Sequence, residues 1–377
     1  MPKDNIKVLI ADDSAVVREI LKDMMEDESD LEVVGEAKNG KEAVELAGKI
    51  KPDIITMDVI MPVMNGLEAV EEIMAFSPTP ILVFSSVLDD KEMDVAFHAI
   101  ARGALDVMEK PKVADGDQFE RIRLDLLNKL RMLSRIHVIP HLKGKKRRPR
   151  KKEDIEKAKE APVREPPPPP VTGGPVLDVS EYVKLPPERL VKRKLVAVGA
   201  STGGPKALVQ IFRRIPEGFP LPILTVQHIA PSFAPGLVSW LDRSSQLRVV
   251  LAEEKIEPAP GTVYVASTGS HMVYSNGKIM FTDSDPVNSC RPSVDVLFDS
   301  VAEFAGDTSV GVLLTGMGRD GARGLKAIRD KRGRTMIQDE ATSVIFGMPR
   351  AAMEMGAAEE ILPLGEIPEA IMKAITR

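Results

Sequence analysis

The stretch LVAVGASTGGP, Leu195–Pro205, decides the fold of the C-terminal half of this 377-residue chain. An apolar run typical of a buried strand passes into a turn of small residues, and Pro205 is typical of a helix's first turn. Gly199-x-Ser201-x-Gly203 matches the pattern that presents a nucleophilic serine between strand and helix. The sequence of the turn does not match G-x-G-x-x-G, and this disfavours a dinucleotide-binding loop. Small residues also occur at such turns for packing alone, so the alternative that Ser201 has no catalytic role stays open.

Around this stretch, short apolar runs alternate with helical patterns over residues 191–377. This alternation predicts an α/β domain with a parallel sheet covered by helices. A local hairpin is expected at Ser275-Asn276-Gly277. The predicted strands are Leu195–Gly199, Ile223–Gln227, Val249–Leu251, Val263–Ala266, Val310–Leu314, Thr335–Ile337 and Glu360–Leu362.

Two residues after other predicted strands are candidate partners for the serine. A nucleophilic serine needs a base, and the base needs an orienting carboxylate. His228 ends the next strand, in TVQHIAP, and Asp320 follows a later strand, in VLLTGMGRDG. Carboxyl ends of parallel strands meet at one sheet edge, so we expect both residues there with Ser201. The glycines beside Asp320 would let backbone N–H groups face a developing oxyanion.

Other residues compete for these roles. His271 is the weaker candidate for the base, and we expect it at the surface or facing a substrate. Asp283 and Asp285 are rival carboxylates, on a less defined loop. Asp320 itself has an alternative role, as the N-cap of a helix predicted to start near Ala322.

Residues 1–135 show the same alternation, with predicted strands at Ile6–Ala11, Leu31–Gly35, Ile54–Met57, Ile81–Phe84 and Ala104–Met108. Acidic and small polar residues stand at the ends of these strands, which again meet at one edge. Three converging carboxylates repel one another unless a cation joins them, and oxygen ligands suit Mg²⁺. A carboxylate can also take up a phosphoryl group as a nucleophile. The residues at these strand ends are Asp12, Asp13, Asp58, Ser85 and Lys110.

Residues 136–190 break the pattern. They contain the basic run Lys143–Lys152 and five consecutive prolines, Pro166–Pro170. This composition is typical of a flexible linker with stiff, extended parts. The basic run could contact nucleic acid or an acidic surface, but a solvated linker is the favoured interpretation.

Composition narrows the classes of function further. The net charge of −5 gives no reason to expect nucleic acid as a partner of the whole molecule. Cys290 is the one cysteine, so no disulfide within the chain is possible, and a reducing compartment is expected. No stretch approaches the roughly 18 apolar residues of a membrane span, and the N-terminus is unlike a signal peptide. We therefore expect a cytoplasmic protein without direct membrane insertion.

The first half resembles the response-regulator receiver family. The resemblance implies a CheY-like, doubly wound parallel sheet and a histidine kinase as phosphodonor. Asp58 would be the phosphoacceptor. Asp13 and Asp58 would bind Mg²⁺ directly, with the Ile60 carbonyl, and Asp12 would help through water. Ser85 and Lys110 would sense the phosphoryl group. The positions that carry the resemblance are Asp12-Asp13, Asp58 in MDVIMPVMNG, Ser85 in FSS and Lys110-Pro111.

The second half resembles the chemotaxis protein-glutamate methylesterases (CheB) in GASTGGP, TVQHIAPSF, VNSCRPSVDVLF, TGMGRDGARGL and IFGMPRAA. The resemblance implies a Rossmann-like domain with Ser201 as nucleophile, His228 as base and Asp320 as orienting acid. It also implies the backbone N–H groups of His228 and Met317 as oxyanion donors, with Thr202 in support. The order Ser, His, Asp differs from the Ser, Asp, His of the α/β-hydrolases.

This resemblance implies hydrolysis of glutamate methyl esters, and deamidation of glutamines, on chemoreceptors. Methanol or ammonia would be released for chemotactic adaptation, with no cofactor for the hydrolysis. Two alternatives remain open at this point. A receiver often controls a transcriptional regulator, which would need a basic recognition helix. The domain could also be a catalytically silent scaffold.

Overall fold

The computed structural model describes residues 5–85, 90–110, 116–138 and 194–375. The chain divides into two compact units, Met1–Pro170 and Val171–Arg377. The linker expected at residues 136–190 lies almost entirely outside the described residues, so its flexibility stays a prediction. In the described parts of the chain, no helix has the length and apolar character needed to cross a membrane.

The first unit is a parallel sheet whose strands alternate with helices. Its strands are β1 (Ile6–Ala11), β2 (Leu31–Ala37), β3 (Ile54–Met57), β4 (Ile81–Ser85) and β5 (Asp106–Glu109). Its helices are α1 (Ala15–Glu26), α2 (Gly40–Ile50), α3 (Gly66–Phe76), α4 (Asp90–Ala101) and α5 (Gly116–Leu133). The strand order is β2-β1-β3-β4-β5, and each pairing is parallel. The predicted doubly wound fold is confirmed, with strand ends within two residues of the prediction.

Local chemistry explains where these elements begin. Every residue of β3 and β4 is buried, as expected for central strands covered on both faces. The side chains of Ser14, Asn39 and Asn65 accept backbone N–H groups at the starts of α1, α2 and α3, which is the usual role of an N-cap. The strand order reverses between β1 and β3, so the ends of these two strands open a crevice.

The second unit also combines strands with helices. Its strands are β6 (Leu195–Ala200), β7 (Ile223–Gln227), β8 (Arg248–Leu251), β9 (Thr262–Val265), β10 (His271–Ser275), β11 (Lys278–Thr282), β12 (Ser309–Leu313), β13 (Arg334–Gln338) and β14 (Glu360–Leu362). Its helices are α6 (Gly204–Phe212), α7 (Ala234–Ser244), α8 (Val294–Phe304), α9 (Ala322–Asp330), α10 (Met348–Glu354) and α11 (Ile367–Ala374).

Its large sheet has the order β14-β13-β12-β6-β7-β9-β8, and its pairings are parallel. The predicted strands are confirmed. So is the hairpin, because β10 pairs antiparallel with β11 and both turn residues, Asn276 and Gly277, have positive φ. Helix α10 was not predicted, since its seven residues are too few to show a helical period. The strand order reverses at β6, which places a crevice between β6 and β12.

Close packing fixes the start of α8 beside this crevice. A Cβ atom at Gly199 would lie 2.2 Å from Cγ1 of Val294, and one at Gly321 would lie 2.6 Å from the same atom. Only glycine leaves room for Val294 at these two points, because protein interiors are close-packed. The first turn of α8 therefore lies against the end of β6 and the loop after β12.

Candidate functional site

The predicted acidic residues of the first unit come together at the crevice between β1 and β3. Asp12, Asp13 and Asp58 each offer a carboxylate oxygen, and these three atoms lie within 4.8 Å of one another. Lys110 Nζ lies 2.7 Å from Asp12 Oδ2 and 2.8 Å from Asp58 Oδ2. One ammonium leaves part of the charge of three carboxylates unbalanced. An oxygen-only cluster with excess negative charge fits Mg²⁺.

Backbone contacts bring the remaining predicted residue to the same edge. Ser85 is buried at the end of β4, and its carbonyl accepts the backbone N–H of Lys110 at 3.0 Å. Sequence reasoning missed Gly66. A Cβ atom there would lie 1.9 Å from the carbonyl oxygen of Asp58. This residue lets α3 start against the loop that follows β3 and carries Asp58, and the only signal for it was the turn-forming Asn65-Gly66 pair.

Burial and charge act in opposite directions on the two central groups of this cluster. Burial raises the pKa of Asp58 to about 6, although the ammonium of Lys110 opposes the shift. Burial alone would lower the pKa of Lys110, but Asp58 and Asp12 outweigh burial and raise it. Lys110 is therefore a permanent cation beside a carboxylate that is only moderately acidic.

Ser201 lies in a tight turn at the end of β6. Its backbone N–H donates to the carbonyl of Thr315 at 3.0 Å, and its carbonyl accepts the N–H of Gly204 at 2.7 Å. Gly203 has a φ of +77°, a conformation that favours glycine, and a Cβ atom at Gly316 would lie 2.8 Å from Cβ of Ser201. The small residues of GASTGG therefore serve a close approach between the serine turn and the loop after β12.

His228 and Asp320 form the pair that the sequence predicted. His228 Nε2 lies 2.8 Å from Asp320 Oδ2. His228 follows β7 and Asp320 follows β12, and these strands flank β6. The three candidate residues therefore lie at the ends of three adjacent strands. Within the described residues, Ser201 Oγ has no hydrogen bond to His228.

The Asp320 carboxylate is buried at the N-terminus of α8. This position was not predicted, since the alternative for Asp320 was a cap on α9, where Gly321 precedes the helix without a side-chain hydrogen bond. Besides His228, four groups donate to it: Ser293 Oγ at 2.7 Å, Val294 N at 2.7 Å, Asn288 Nδ2 at 3.0 Å and Asp295 N at 3.2 Å.

These contacts determine the charges of the pair. Burial alone would raise the pKa of Asp320, but hydrogen bonds with His228, Ser293 and Asn288 lower it to about 2. Burial alone would lower the pKa of His228, but its contacts with Asp320 and Cys290 outweigh burial and raise it to about 9. Asp320 is thus a fixed anion, and His228 is easily protonated. Nε2 faces Asp320, so Nδ1 is the nitrogen left to act as a base.

Of the two backbone N–H groups that the resemblance implies as oxyanion donors, one already has an acceptor in the described ranges and the other does not. The backbone N–H of His228 donates to the carbonyl of Ala200 at 3.0 Å, which continues the pairing of β6 with β7. That N–H is therefore not free, contrary to the expectation. The N–H of Met317 has no acceptor among the described residues. Thr202 is buried, and its carbonyl accepts the hydroxyl of Thr315 at 3.0 Å.

The rival residues do not contact His228. The expectation for His271 is wrong, because this residue is fully buried. Its Nδ1 accepts the backbone N–H of Ser293 at 3.0 Å, and its Nε2 lies 3.2 Å from the carbonyl oxygen of Asp285. Asp283 is exposed and accepts the hydroxyl of Ser270. His271 thus holds Ser293, which is the N-cap of α8, and does not face a substrate.

Gln227 was missed by sequence reasoning and connects two of the predicted residues. Its buried amide Nε2 donates to the carbonyl of Ser201 at 2.8 Å and to that of His228 at 2.9 Å. A Cβ atom at Gly204 would lie 1.9 Å from Gln227 Oε1, so the amide packs directly against the turn and only glycine fits at this position. A single side chain therefore fixes the backbone of the candidate nucleophile relative to that of the candidate base.

We expect Gln227→Leu to lower the free energy of unfolding of the second unit by about 1–3 kcal/mol, because the half-buried carbonyl of His228 loses this donor and that of Ser201 keeps only the N–H of Gly204. Trp240 is the one tryptophan of the chain and lies in α7, so its fluorescence in a denaturant titration follows this unit alone. Thr225→Val is the control, since its buried hydroxyl on the same strand has no hydrogen-bond partner in the part of the chain that the structure describes. Equal stability losses in the two variants would contradict the role of Gln227.

Comparison with known proteins gives a consistent result for both units. The family model "CheB methylesterase" matches residues 196–371, and "Response regulator receiver domain" matches residues 8–120. The protein-glutamate methylesterase/protein-glutamine glutaminase 2 of Anaeromyxobacter dehalogenans is 39% identical, over 99% of this chain and 97% of that protein. Protein 1 of the same name from Syntrophus aciditrophicus is 41% identical, over 98% of both chains.

A solved structure also matches the second unit. The catalytic domain of the Thermotoga maritima CheB methylesterase is 40% identical, covers 48% of this chain and 99% of that chain, and has a TM-score of 0.47. The full-length identities and the two matched domain models cover both halves of the molecule. The chain therefore belongs to the family of protein-glutamate methylesterases/protein-glutamine glutaminases, which join a receiver domain to a CheB methylesterase domain.

Proposed function

We propose that this chain is a phosphorylation-controlled serine hydrolase for chemotactic adaptation. It would demethylate glutamate methyl esters and deamidate glutamines on chemoreceptors. The names of the relatives supply the reaction class, and the sequence resemblance adds chemoreceptors as the substrate. The observation that carries the hydrolase is the 2.8 Å contact between His228 Nε2 and Asp320 Oδ2, at strand ends on either side of the strand that ends at Ser201.

In the acylation step, Ser201 Oγ attacks the carbonyl carbon of the ester or amide. His228 Nδ1 takes the hydroxyl proton, because Nε2 is held by Asp320. Asp320 keeps the ring in this orientation and stabilises the imidazolium that forms. The free N–H of Met317 is the donor that we assign to the developing oxyanion. Thr202 supports the loop that carries this donor through its contact with Thr315.

The imidazolium then gives its proton to the leaving group, which departs as methanol from an ester or ammonia from an amide. The acyl-enzyme is left on Ser201. In deacylation, His228 takes a proton from water, and the hydroxide attacks the acyl carbon. The product is a glutamate carboxylate on the receptor, and Ser201 recovers its proton. No step in this sequence needs a metal or organic cofactor.

Methanol release from methylated chemoreceptor tests the proposed activity. The full chain with Mg²⁺ and a small phosphodonor, such as acetyl phosphate, should release one methanol for each methyl ester lost. The receptor should gain one glutamate at the same site, as seen by peptide mass spectrometry. Absence of methanol with receptor that a related methylesterase does demethylate would overturn the proposal.

The receiver would control this hydrolysis through Asp58. Asp12, Asp13 and Asp58 are the residues that would hold Mg²⁺, which supplies charge neutralisation to the phosphoryl oxygens. The carboxylate of Asp58 attacks the phosphorus of a phosphohistidine on a histidine kinase and becomes an acyl phosphate. Lys110 pairs with the new charge, and the hydroxyl of Ser85 hydrogen-bonds to a phosphoryl oxygen.

Asp58→Asn is expected to abolish phosphoryl incorporation from acetyl phosphate, since an amide is not a nucleophile at this position. Intact-mass spectrometry in the presence of Mg²⁺ measures the result. Asp53→Asn is the control, because Asp53 precedes β3 whereas Asp58 follows it, and its carboxylate accepts the backbone N–H of Lys7 at 3.0 Å. Labelling of the Asp58→Asn protein as strong as that of Asp53→Asn would place the phosphoacceptor elsewhere.

The family assignment also supports a hydrolase over a transcriptional regulator as the output domain. A CheB methylesterase domain occupies the region where a transcriptional regulator would carry its DNA-binding domain, so nucleic acid is not part of the proposed function. We place the protein in the cytoplasm, where receptor helices and a histidine kinase would reach it. The domain limits that we propose are residues 1–135 for the receiver, 136–190 for the linker and 191–377 for the hydrolase.

A further inference from the structure

We propose that Cys290 and His228 bind a thiophilic divalent cation such as Zn²⁺, and that the bound cation inhibits the hydrolase. Cys290 is the one cysteine of the chain, and the mechanism above gives it no role. The inference goes beyond the proposed function, because it concerns a second ligand at the catalytic histidine. It assigns a soft, sulfur-containing metal site to the second unit, separate from the oxygen-only site of the receiver.

The spacing of the two ligand atoms fits an ion between them. Cys290 Sγ lies 3.7 Å from His228 Nδ1. Zn²⁺ binds sulfur at about 2.3 Å and imidazole nitrogen at about 2.0–2.1 Å, so a tetrahedral ion separates the two atoms by about 3.6 Å. Ligand atoms of Cys290, His228 and Asp320 all lie within 4.8 Å of one another. The pair is therefore at metal-ligand spacing before any ion binds.

The contacts around His228 select the correct nitrogen for a metal. Asp320 Oδ2 accepts Nε2–H at 2.8 Å, which leaves the lone pair of Nδ1 directed at Cys290. A carboxylate on the far nitrogen is the usual outer partner of a metal-binding histidine, where it fixes the tautomer and raises the basicity of the ligand. The tautomer that makes Nδ1 a base in hydrolysis is therefore the one that makes it a ligand.

Cys290 is held in place by its own loop. The backbone groups of Val287 and Cys290 exchange two hydrogen bonds, at 3.1 and 2.9 Å. Asn288, inside this turn, donates to Asp320 at 3.0 Å. The thiol and the carboxylate are thus connected through one short segment, and little reorganisation is needed to present Sγ to an ion at Nδ1.

Ligand softness separates this site from the receiver site. Thiolate and imidazole favour Zn²⁺ and related ions, whereas carboxylates and carbonyls favour Mg²⁺. On binding, the thiol of Cys290 loses its proton to solvent, protonated His228 loses its Nδ1 proton as well, and the metal–sulfur and metal–nitrogen bonds form. The metal then occupies the lone pair of Nδ1, which can no longer take the proton of Ser201. Occupation of the site and hydrolysis therefore exclude each other.

Cobalt(II) is the probe for the test, because a cobalt–thiolate bond gives a charge-transfer absorption band in the near ultraviolet. We expect the band in the full chain with excess Mg²⁺ present, saturating at one cobalt per chain. It can arise only from Cys290, since the chain has no second sulfhydryl. His228→Gln should weaken cobalt binding by more than the roughly 10–100-fold that loss of an outer partner costs. Asp58→Asn, altered only at the receiver site, should keep the band.

Three results would overturn the site: no band, a band unaffected by His228→Gln, or saturation at one cobalt per two chains, which indicates thiols bridging two molecules. The inhibitory part is tested by Zn²⁺ titration of methanol release, with Cys290→Ser and Cys290→Ala each compared with its own metal-free rate. Each variant should need at least about tenfold more Zn²⁺ for half inhibition, and equal sensitivity would refute inhibition through Cys290. The cobalt band needs no turnover, so it tests the site even if the proposed activity were wrong.

Discussion

Ser201→Ala is expected to lower kcat for methyl ester hydrolysis by about six orders of magnitude, the size of effect seen when the nucleophile of a serine triad is removed. The structure predicts that the loss comes from chemistry alone. The contacts that hold the turn use the backbone of Ser201, to Thr315, Gly204 and Gln227, and alanine keeps all of them. Alanine also keeps the Cβ atom that lies close to Gly316.

The rate of methanol release under single-turnover conditions measures this effect. The receptor is present in larger amount than any trace of wild-type enzyme in the variant, so that the trace cannot account for the signal. Trp240 fluorescence in a denaturant titration should give the same unfolding midpoint for variant and wild type. Ser245→Ala is the matched control, because its hydroxyl donates to the carbonyl of Leu247 at 2.9 Å in the same unit and should leave kcat unchanged. A Ser201→Ala protein that releases methanol within tenfold of the wild-type rate would exclude Ser201 as the nucleophile.

The positions of the candidate residues could be predicted because strand ends are readable from sequence. Buried central strands appear as continuous apolar runs, and Ser201, His228 and Asp58 each follow such a run directly or within one residue. The reversal of strand order then brings the ends of β6 and β12, or of β1 and β3, to one crevice. Neither step needs any knowledge of side-chain contacts, so both sites could be placed before their geometry was known.

The contacts between loops could not be predicted. Asp320 lies at the start of α8, although it follows β12 in the chain, and the reason is the close approach that Gly199 and Gly321 allow to Val294. His271 was misplaced for a related reason: it looked like a polar residue before a hairpin, but the loop ahead of α8 covers it. Such packing depends on residues more than 20 positions apart, which no local pattern reports.

Gln227 and Cys290 show the same limit for the site itself. Gln227 stood in the motif TVQHIAP as the residue before the base, and nothing in its position indicated that its amide holds two backbone carbonyls. Cys290 was noted only for the absence of disulfides, and its approach to His228 spans 62 positions of the chain. Residue types at strand ends predict where a site lies, whereas the side chains that tune it become visible only in three dimensions.

Asp320→Asn is expected to lower kcat by about four orders of magnitude, because an amide at this position favours the wrong tautomer of the histidine. The effect should be larger here than the loss of a single hydrogen bond, since four further donors point at the carboxylate. The backbone N–H groups of Val294 and Asp295 donate to different oxygens of Asp320. An asparagine has one oxygen, and its NH₂ group cannot accept, so one of these two N–H groups loses its acceptor in either orientation of the amide.

The pH dependence of the residual activity separates an electrostatic role from a structural one. Hydrolysis needs neutral His228, so the rate rises with pH through the pKa of this residue, which is raised to about 9 in the wild type. In Asp320→Asn the anion is gone, and the pKa should fall towards the ordinary value of about 6.5. The midpoint of the pH–rate profile of kcat/KM should therefore move to lower pH, even though the maximal rate is far smaller.

Asp295→Asn is the control for this shift, because Asp295 is a buried carboxylate in the first turn of α8 that accepts Gly324 N–H and the amide of Asn288 without contacting His228. Its loss should destabilise the second unit but leave the midpoint near pH 9. If both variants moved the midpoint equally, the shift would reflect general disturbance of α8. If Asp320→Asn left the midpoint unchanged, the charge of Asp320 would not be what raises the pKa of His228, and the orienting role assigned to it would fail.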